Sequence, residues 1–211
     1  MSLSRFVLLA AVALAFTPAI RADDTADFLN PDNWVGRSDI WTIKDGVVVG
    51  ETKEDPKYNT FFVSKKTYAD FEMTCKIQLK GGIGNSGIQI RSTLKDDKKF
   101  VVAGPQVDVG AGYWGSLYGE GIGGMMQASK KPDIEKAVKV EEFNEYHIIA
   151  KGTKITIKIN GTTMVDNDFP NLPGKESAKP APTEGIIAFQ AHAGYKSMRV
   201  EFKDIKFTIL K

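Results

Sequence analysis

Phe71, Met73, Cys75, Ile77 and Leu79 alternate with Glu72, Thr74, Lys76, Gln78 and Lys80. Successive side chains of a strand point to opposite faces, so this run predicts a long strand with one buried and one wet face. Cys75 shares the apolar phase, which makes it a small core residue rather than a reactive thiol. The same period runs through Ile155, Ile157 and Ile159, after which Asn160-Gly161 turns the chain into Thr162–Val165. Asp45-Gly46 joins Trp41–Ile43 to Val47–Val49 in the same way. Both dipeptides accept the positive φ that a two-residue hairpin demands.

Further strands are expected at Phe61–Ser64, Ser86–Arg91, Gln106–Val109, Tyr146–Lys151, Gly185–His192 and Met198–Leu210. In the last, Val200 and Phe202 are out of phase with Ile205, Phe207 and Ile209, and the slip at Lys203-Asp204 predicts a β-bulge or a change of partner. Pro132–Val140 is the best candidate for a short helix, whereas Gly119–Lys139 and Asn167–Thr183 read mainly as long loops. Many short strands without crossover helices predict an all-β, antiparallel β-sandwich. Residues 23–211 read as a single domain, because too few residues follow the proline-rich segment Asn167–Thr183 to form another.

Residues 1–22 read as an export signal, with Arg5 before an apolar run from Phe6 to Phe16 and Ala22 before Asp23-Asp24. A secreted or periplasmic location is therefore expected. The run is too short to span a bilayer, and no later segment is as apolar. The chain holds 28 Lys and Arg against 26 Asp and Glu, and removal of Arg5 and Arg21 with the leader makes the rest neutral. A neutral domain without a basic block has no electrostatic footprint for nucleic acid. One cysteine excludes an internal disulfide, so the core must hold the fold.

Familiar catalytic signatures are missing. Gly119–Gly124 satisfies a dinucleotide-binding pattern literally, but a poor helix former follows it, and it reads as a mobile loop. There is no nucleophile elbow, and no closely spaced His and Cys cluster suits zinc. Asp108 and His192, from separate strands, do not make a coordination set, so neither metal nor cofactor is expected. The paired carboxylates of laminarinase-like sandwiches, Glu-x-Asp-x-x-Glu, are absent.

Period-two geometry does expose a polar surface. Asn85, Gly87, Gln89 and Arg91 share one face of their strand, against Ser86, Ile88 and Ile90. Gln106 and Asp108 oppose Val107 and Val109, and Gln190 and His192 oppose Ile187 and Phe189. If the three strands are neighbours, their amides, acid and imidazole line one surface suited to a polyhydroxylated ligand. The alternative is a solvent-facing side of an ordinary sheet.

The motifs Trp41-Thr-Ile-Lys-Asp45-Gly46, Asn85-Ser-Gly-Ile-Gln-Ile-Arg91, Gly104-Pro-Gln-Val-Asp-Val-Gly110, Tyr113-Trp-Gly-Ser-Leu-Tyr118 and Phe189-Gln-Ala-His192-Ala-Gly194 follow one another in the order found in the 3-keto-disaccharide hydrolase domain family. The sequence resembles that family over about residues 27–210, in its Gln-x-Asp branch, although Pro105 stands where that branch usually has an aromatic residue. The resemblance implies a jelly-roll sandwich of the concanavalin A-like lectin/glucanase type, with a carbohydrate ligand on the concave face. It also implies cleavage of glycosides oxidised at carbon 3. A ketone there acidifies the hydrogen on carbon 2, so one base can start elimination of the group on carbon 1, and water then adds back. On this reading Asp108 is the base. Arg91 and His192 stabilise or protonate oxygen, and Asn85, Gln89, Gln106, Tyr118 and Gln190 position the sugar. Glu120, beside Tyr118, is the rival carboxylate. A non-catalytic, lectin-like binding domain is the alternative function, because the same fold serves both.

Overall fold

The computed structural model describes residues 23–211, and the expected export signal lies outside them. In chain order the strands are β1 (Trp34–Val35), β2 (Trp41–Lys44), β3 (Val47–Thr52), β4 (Thr60–Tyr68), β5 (Phe71–Leu79), β6 (Asn85–Asp96) and β7 (Val101–Gly110). They continue as β8 (Leu117–Glu120), β9 (Gly124–Gln127), β10 (Asn144–Lys151), β11 (Lys154–Ile159), β12 (Thr162–Asp168), β13 (Gly185–Ala191) and β14 (Met198–Ile209). Two seven-stranded antiparallel sheets result: β1-β4-β13-β6-β7-β8-β9, the site sheet, and β12-β11-β10-β5-β14-β3-β2, the backing sheet.

The alternation along β5 is realised in full, with Phe71, Met73, Cys75, Ile77 and Leu79 buried and their intervening neighbours half-exposed. Tyr146 and Ile148 of β10, Ile157 of β11 and Phe202 and Phe207 of β14 continue this face. Against it pack Ile88, Val107, Val109, Leu117, Ile187 and Phe189 of the site sheet, in one continuous core. The face of each strand that meets the other sheet is thus its apolar phase, as two stacked amphipathic sheets require. Aromatic contacts run through one end of this core: Trp34 stacks on Phe62 at 5.3 Å, and Phe189 meets Phe202 at 4.5 Å.

Both hairpin dipeptides adopt positive φ, 51° and 76° at Asp45 and Gly46 and 48° and 80° at Asn160 and Gly161. The phase slip in β14 is a bulge: its register against β5 jumps between Lys203 and Lys206, and Asp204 lies at φ 51°. One expectation is corrected. Gly119–Lys139 is not simply a loop, since it carries the end of β8, all of β9 and the helix Lys131–Ala137. Gly119–Gly124 is the turn of the β8–β9 hairpin, with Gly121 at φ 63° and Gly123 at φ 129°, so its glycines serve the turn and no helix follows them directly. The short strands escaped detection because Tyr118-Gly-Glu and Met125-Met-Gln have too few residues for a period to show.

Candidate functional site

The strands β13, β6, β7 and β8 are neighbours, which was the condition for their polar faces to form one surface. Gly87 pairs with Asp108, Gln89 with Gln106, and Gln106 in turn with Tyr118. A cavity of about 330 Å³ opens on this face, walled by Asn85, Gln106, Asp108, Tyr118 and Glu120 from the sheet. His192, just beyond β13, and Asn59 and Tyr113 from flanking loops complete its rim. None of these lining residues is Lys or Arg.

Asp108 is 5% exposed, and its carboxylate accepts from Gln106 Nε2 at 2.8 Å. Its main chain is held on three sides. The N–H donates to Ser116 O at 2.9 Å, and the carbonyl accepts from Gly115 N at 2.9 Å and from the Tyr146 hydroxyl at 3.2 Å. Burial raises the pKa of Asp108 from its ordinary range to about 7; the Gln106 hydrogen bond works against the rise, and the nearby Glu120 charge adds to it. Gln106 owes its place to an absent side chain. A Cβ on Gly87 would stand 2.6 Å from Gln106 Cγ and Cδ.

His192 Nδ1 lies 2.6 Å from the carbonyl of Ala193, which can only accept, so Nδ1 carries a proton there. The loop is fixed by Ala193 N–H to Asn59 Oδ1 and Gly194 N–H to Asp55 Oδ1, both at 3.0 Å. Asn59 also reaches Glu120 Oε1 at 3.4 Å, tying that loop to the second acid of the cavity. Tyr113 is half-exposed at the mouth, where an aromatic face can meet a sugar ring.

Arg91 departs from expectation. Pro105 of β7 has no N–H to give, and at its level the ladder to β6 breaks between Gln89 and Thr93. One extra residue on β6 forms a bulge, with Arg91 at φ 49°, and its side chain leaves the polar face. The guanidinium is 2% exposed and ties turns together. It donates to Ala69 O at 2.7 Å, Gly152 O at 2.5 Å and Asp70 Oδ1 at 2.9 Å. Burial pulls its pKa down and Asp70 opposes that pull. Arg91 is structural.

Gln89 and Gln190 are fully buried and do not line the cavity; they stand behind Gln106. Gln89 Nε2 donates to Gln106 Oε1 at 2.8 Å, and Gln190 Oε1 accepts from Gln106 Nε2 at 3.3 Å. Sequence reasoning missed Asn59 and Tyr113, which lie in loops without periodicity. Tyr113 opens the Tyr113–Tyr118 motif, which was the available signal. Glu120 does line the cavity. Among the described residues no group of three or more His, Cys, Asp and Glu is placed to hold a metal.

Two stacked antiparallel sheets with a polar cavity on one outer face define a lectin-like β-sandwich of the galectin and concanavalin type. The fold is similar to a protein from Parabacteroides distasonis ATCC 8503 described provisionally as a glycosyl hydrolase, at 20% identity and TM-score 0.62 over 85% of this chain and 94% of that one. It is similar to the carbohydrate-binding module CBM66 from Bacillus subtilis, at 16% identity and TM-score 0.53 over 83% and 95%. A Bacillus subtilis protein of unknown function with a galectin-like fold matches at 12% identity and TM-score 0.56 over 84% and 89%. No curated protein sequence matches the chain significantly. Residues 24–208 match the model of the 3-keto-alpha-glucoside-1,2-lyase-like domain, and the chain belongs to that family.

Proposed function

We propose that this protein cleaves 3-keto-glycosides, with Asp108 taking the proton from carbon 2. The observation that carries the reading is the position of Asp108: a buried acid on the wall of a polar cavity, with a pKa of about 7. Such a group exchanges a proton at neutral pH with little driving-force penalty. As the proton moves to Asp108, the C2–H electron pair passes into the 3-keto group as an enolate; its return forms the C1=C2 bond as the C1–O bond breaks, and the departing oxygen takes a proton from water. The 3-keto oxygen gains negative charge, which the Asn85 amide N–H groups and the Tyr118 hydroxyl are suited to stabilise by donating hydrogen bonds. Water then adds at carbon 1 and a proton returns to carbon 2.

With Arg91 committed elsewhere, this stabilisation comes from neutral donors. The lectin-like neighbours favour one alternative, sugar binding without turnover. The run Phe6–Phe16 supports an exported protein that meets its substrate outside the cytoplasm. The test is turnover of a chromogenic 3-keto-α-glucoside in deuterated water. Cleavage with deuterium at carbon 2 is expected, and a loss of about 10²–10⁴-fold in Asp108→Asn. Binding without cleavage would leave the lectin-like reading.

A further inference from the structure

In and behind the cavity wall, Ser92 and the side-chain amides of Gln89, Gln106 and Gln190 form a buried chain that ends on Asp108. Each side chain is hidden from solvent, none being more than 3% exposed. Such a chain has a direction, because each amide can present either N–H or C=O to its neighbour.

With Asp108 ionised, Gln106 must turn its N–H groups toward the Asp108 carboxylate at 2.8 Å and Gln190 Oε1 at 3.3 Å. Its oxygen then requires the N–H of Gln89, at 2.8 Å. Gln89 Oε1 accepts from the Ser92 hydroxyl at 2.6 Å, but it also faces two carbonyl oxygens, Pro105 O at 3.2 Å and Gly104 O at 3.3 Å. Oxygen faces oxygen there. At the other end Gln190 Nε2 is a buried donor with no partner. Both faults cost free energy in a dry interior.

With Asp108 protonated, the chain can run the other way. The Asp108 O–H donates to Gln106 Oε1, and Gln106 donates to Gln89 Oε1. Gln89 then presents its N–H groups to Ser92 Oγ, Pro105 O and Gly104 O, where they fit. Gln190, turned likewise, gives an N–H to Gln106 Oε1, and its oxygen, less costly to leave unpaired than a donor, takes the place where Nε2 has no partner.

We propose that Gln89 and Gln190 are positioning residues that hold Asp108 in its protonated form, and that loss of the proton reverses the amide chain as far as Ser92. The backbone carbonyls of Gly104 and Pro105 supply the bias, because a carbonyl can only accept. The other titratable groups around Asp108 are Glu120 and Tyr118 of β8, Tyr113 after β7, His192 after β13 and Tyr146 of β10. The facing residues of β6, Asn85, Gly87 and Gln89, are neutral. Burial alone disfavours the anion, and the chain adds a directional preference to it. This inference deepens the catalytic reading of Asp108, but its test needs no substrate.

The experiment follows the Asp108 carboxyl carbon and the side-chain amide nitrogens of Gln106 and Gln89 by NMR across pH 5–9. In the wild-type protein the Gln89 amide is expected to titrate with the midpoint of Asp108, and to stop doing so in Asp108→Asn. A Gln89 signal indifferent to pH, or one that still titrates in Asp108→Asn, overturns the proposal. In Gln89→Met, which fills the volume but removes the bias, the Asp108 midpoint is expected to fall by about one pH unit, the net worth of one hydrogen bond between neutral groups. An unchanged or raised midpoint in the folded variant overturns it as well, and if that variant does not fold, the wild-type titration decides. Absence of 3-keto-glycoside turnover would remove the catalytic reading and leave this titration as it stands.

Discussion

At the scale of the residue, Asp108 couples the cavity to the stability of the whole protein. Its folded pKa of about 7 lies above the 3.8 of an unperturbed carboxyl. Between roughly pH 4 and 7 the unfolded chain has therefore lost a proton that the folded protein keeps. Folding takes up a proton in that window, so the contribution of Asp108 becomes more unfavourable as pH rises, and it is constant above about 7. At about 1.4 kcal/mol per unit, the full cost is on the order of a few kcal/mol. Asp108→Asn, which cannot ionise, should melt higher than wild type at pH 8, with the difference shrinking toward pH 4.5 in paired thermal scans. A difference that grows toward acid would refute the raised pKa. Gly87 makes a second prediction at this scale. A methyl group at that position meets Gln106 Cγ and Cδ at 2.6 Å, so Gly87→Ala must displace the side chain that contacts Asp108. Overpacking of this kind costs about 1–3 kcal/mol, to be read from urea unfolding, and activity should fall by more than stability alone explains.

At the scale of the element, β6 shows how one strand serves two purposes. Up to Gln89 it obeys the period of two and supplies the floor of the site; at the bulge it changes side and sends Arg91 to the turns at residues 69–70 and 152. Arg91→Met removes the donor of three hydrogen bonds, while Asp70 keeps the Gly152 N–H at 2.9 Å. Because Asp70 is 31% exposed and can be solvated, the loss is about 1–3 kcal/mol, and the variant should unfold at lower urea. Per folded molecule, at a temperature where the variant is intact, turnover should change less than threefold. A loss of several hundredfold in a well-folded Arg91→Met protein would return the guanidinium to the chemistry.

At the scale of the molecule, both sheets bury their apolar faces in one continuous core, which includes Trp34, Trp41 and Trp114. Trp114 lies next to the site-side turn, whereas Trp41 belongs to the backing sheet. Shared burial makes the two sheets interdependent, and small single domains of this kind unfold cooperatively. Tryptophan emission and far-ultraviolet circular dichroism should report the same urea midpoint. Two separated transitions would show that the sheets are independent units.

Much of this was legible from period alone. The alternation in β5, β10, β11 and β14 told which face of each strand was dry, because a half-buried sheet allows only that arrangement. Asp45-Gly46 and Asn160-Gly161 announced their turns, and the phase slip at Lys203-Asp204 announced its bulge, each through local backbone chemistry. The same reasoning placed Asn85, Gln106, Asp108 and His192 on one surface, and all four line the cavity. Tertiary structure alone decided the rest. Whether Gln89 and Gln190 touch the ligand or stand behind it depends on how deeply neighbouring strands bury them. The turning of Arg91 depends on Pro105, which lies in a different strand and fails to donate to the ladder across from it. Asn59, Tyr113 and Glu120 join the cavity because distant loops and a short strand fold over its rim. Local pattern reports the face a side chain takes along its own strand, whereas a bulge, a missing donor or a loop crossing is a relation between strands, and only the assembled sheets contain it.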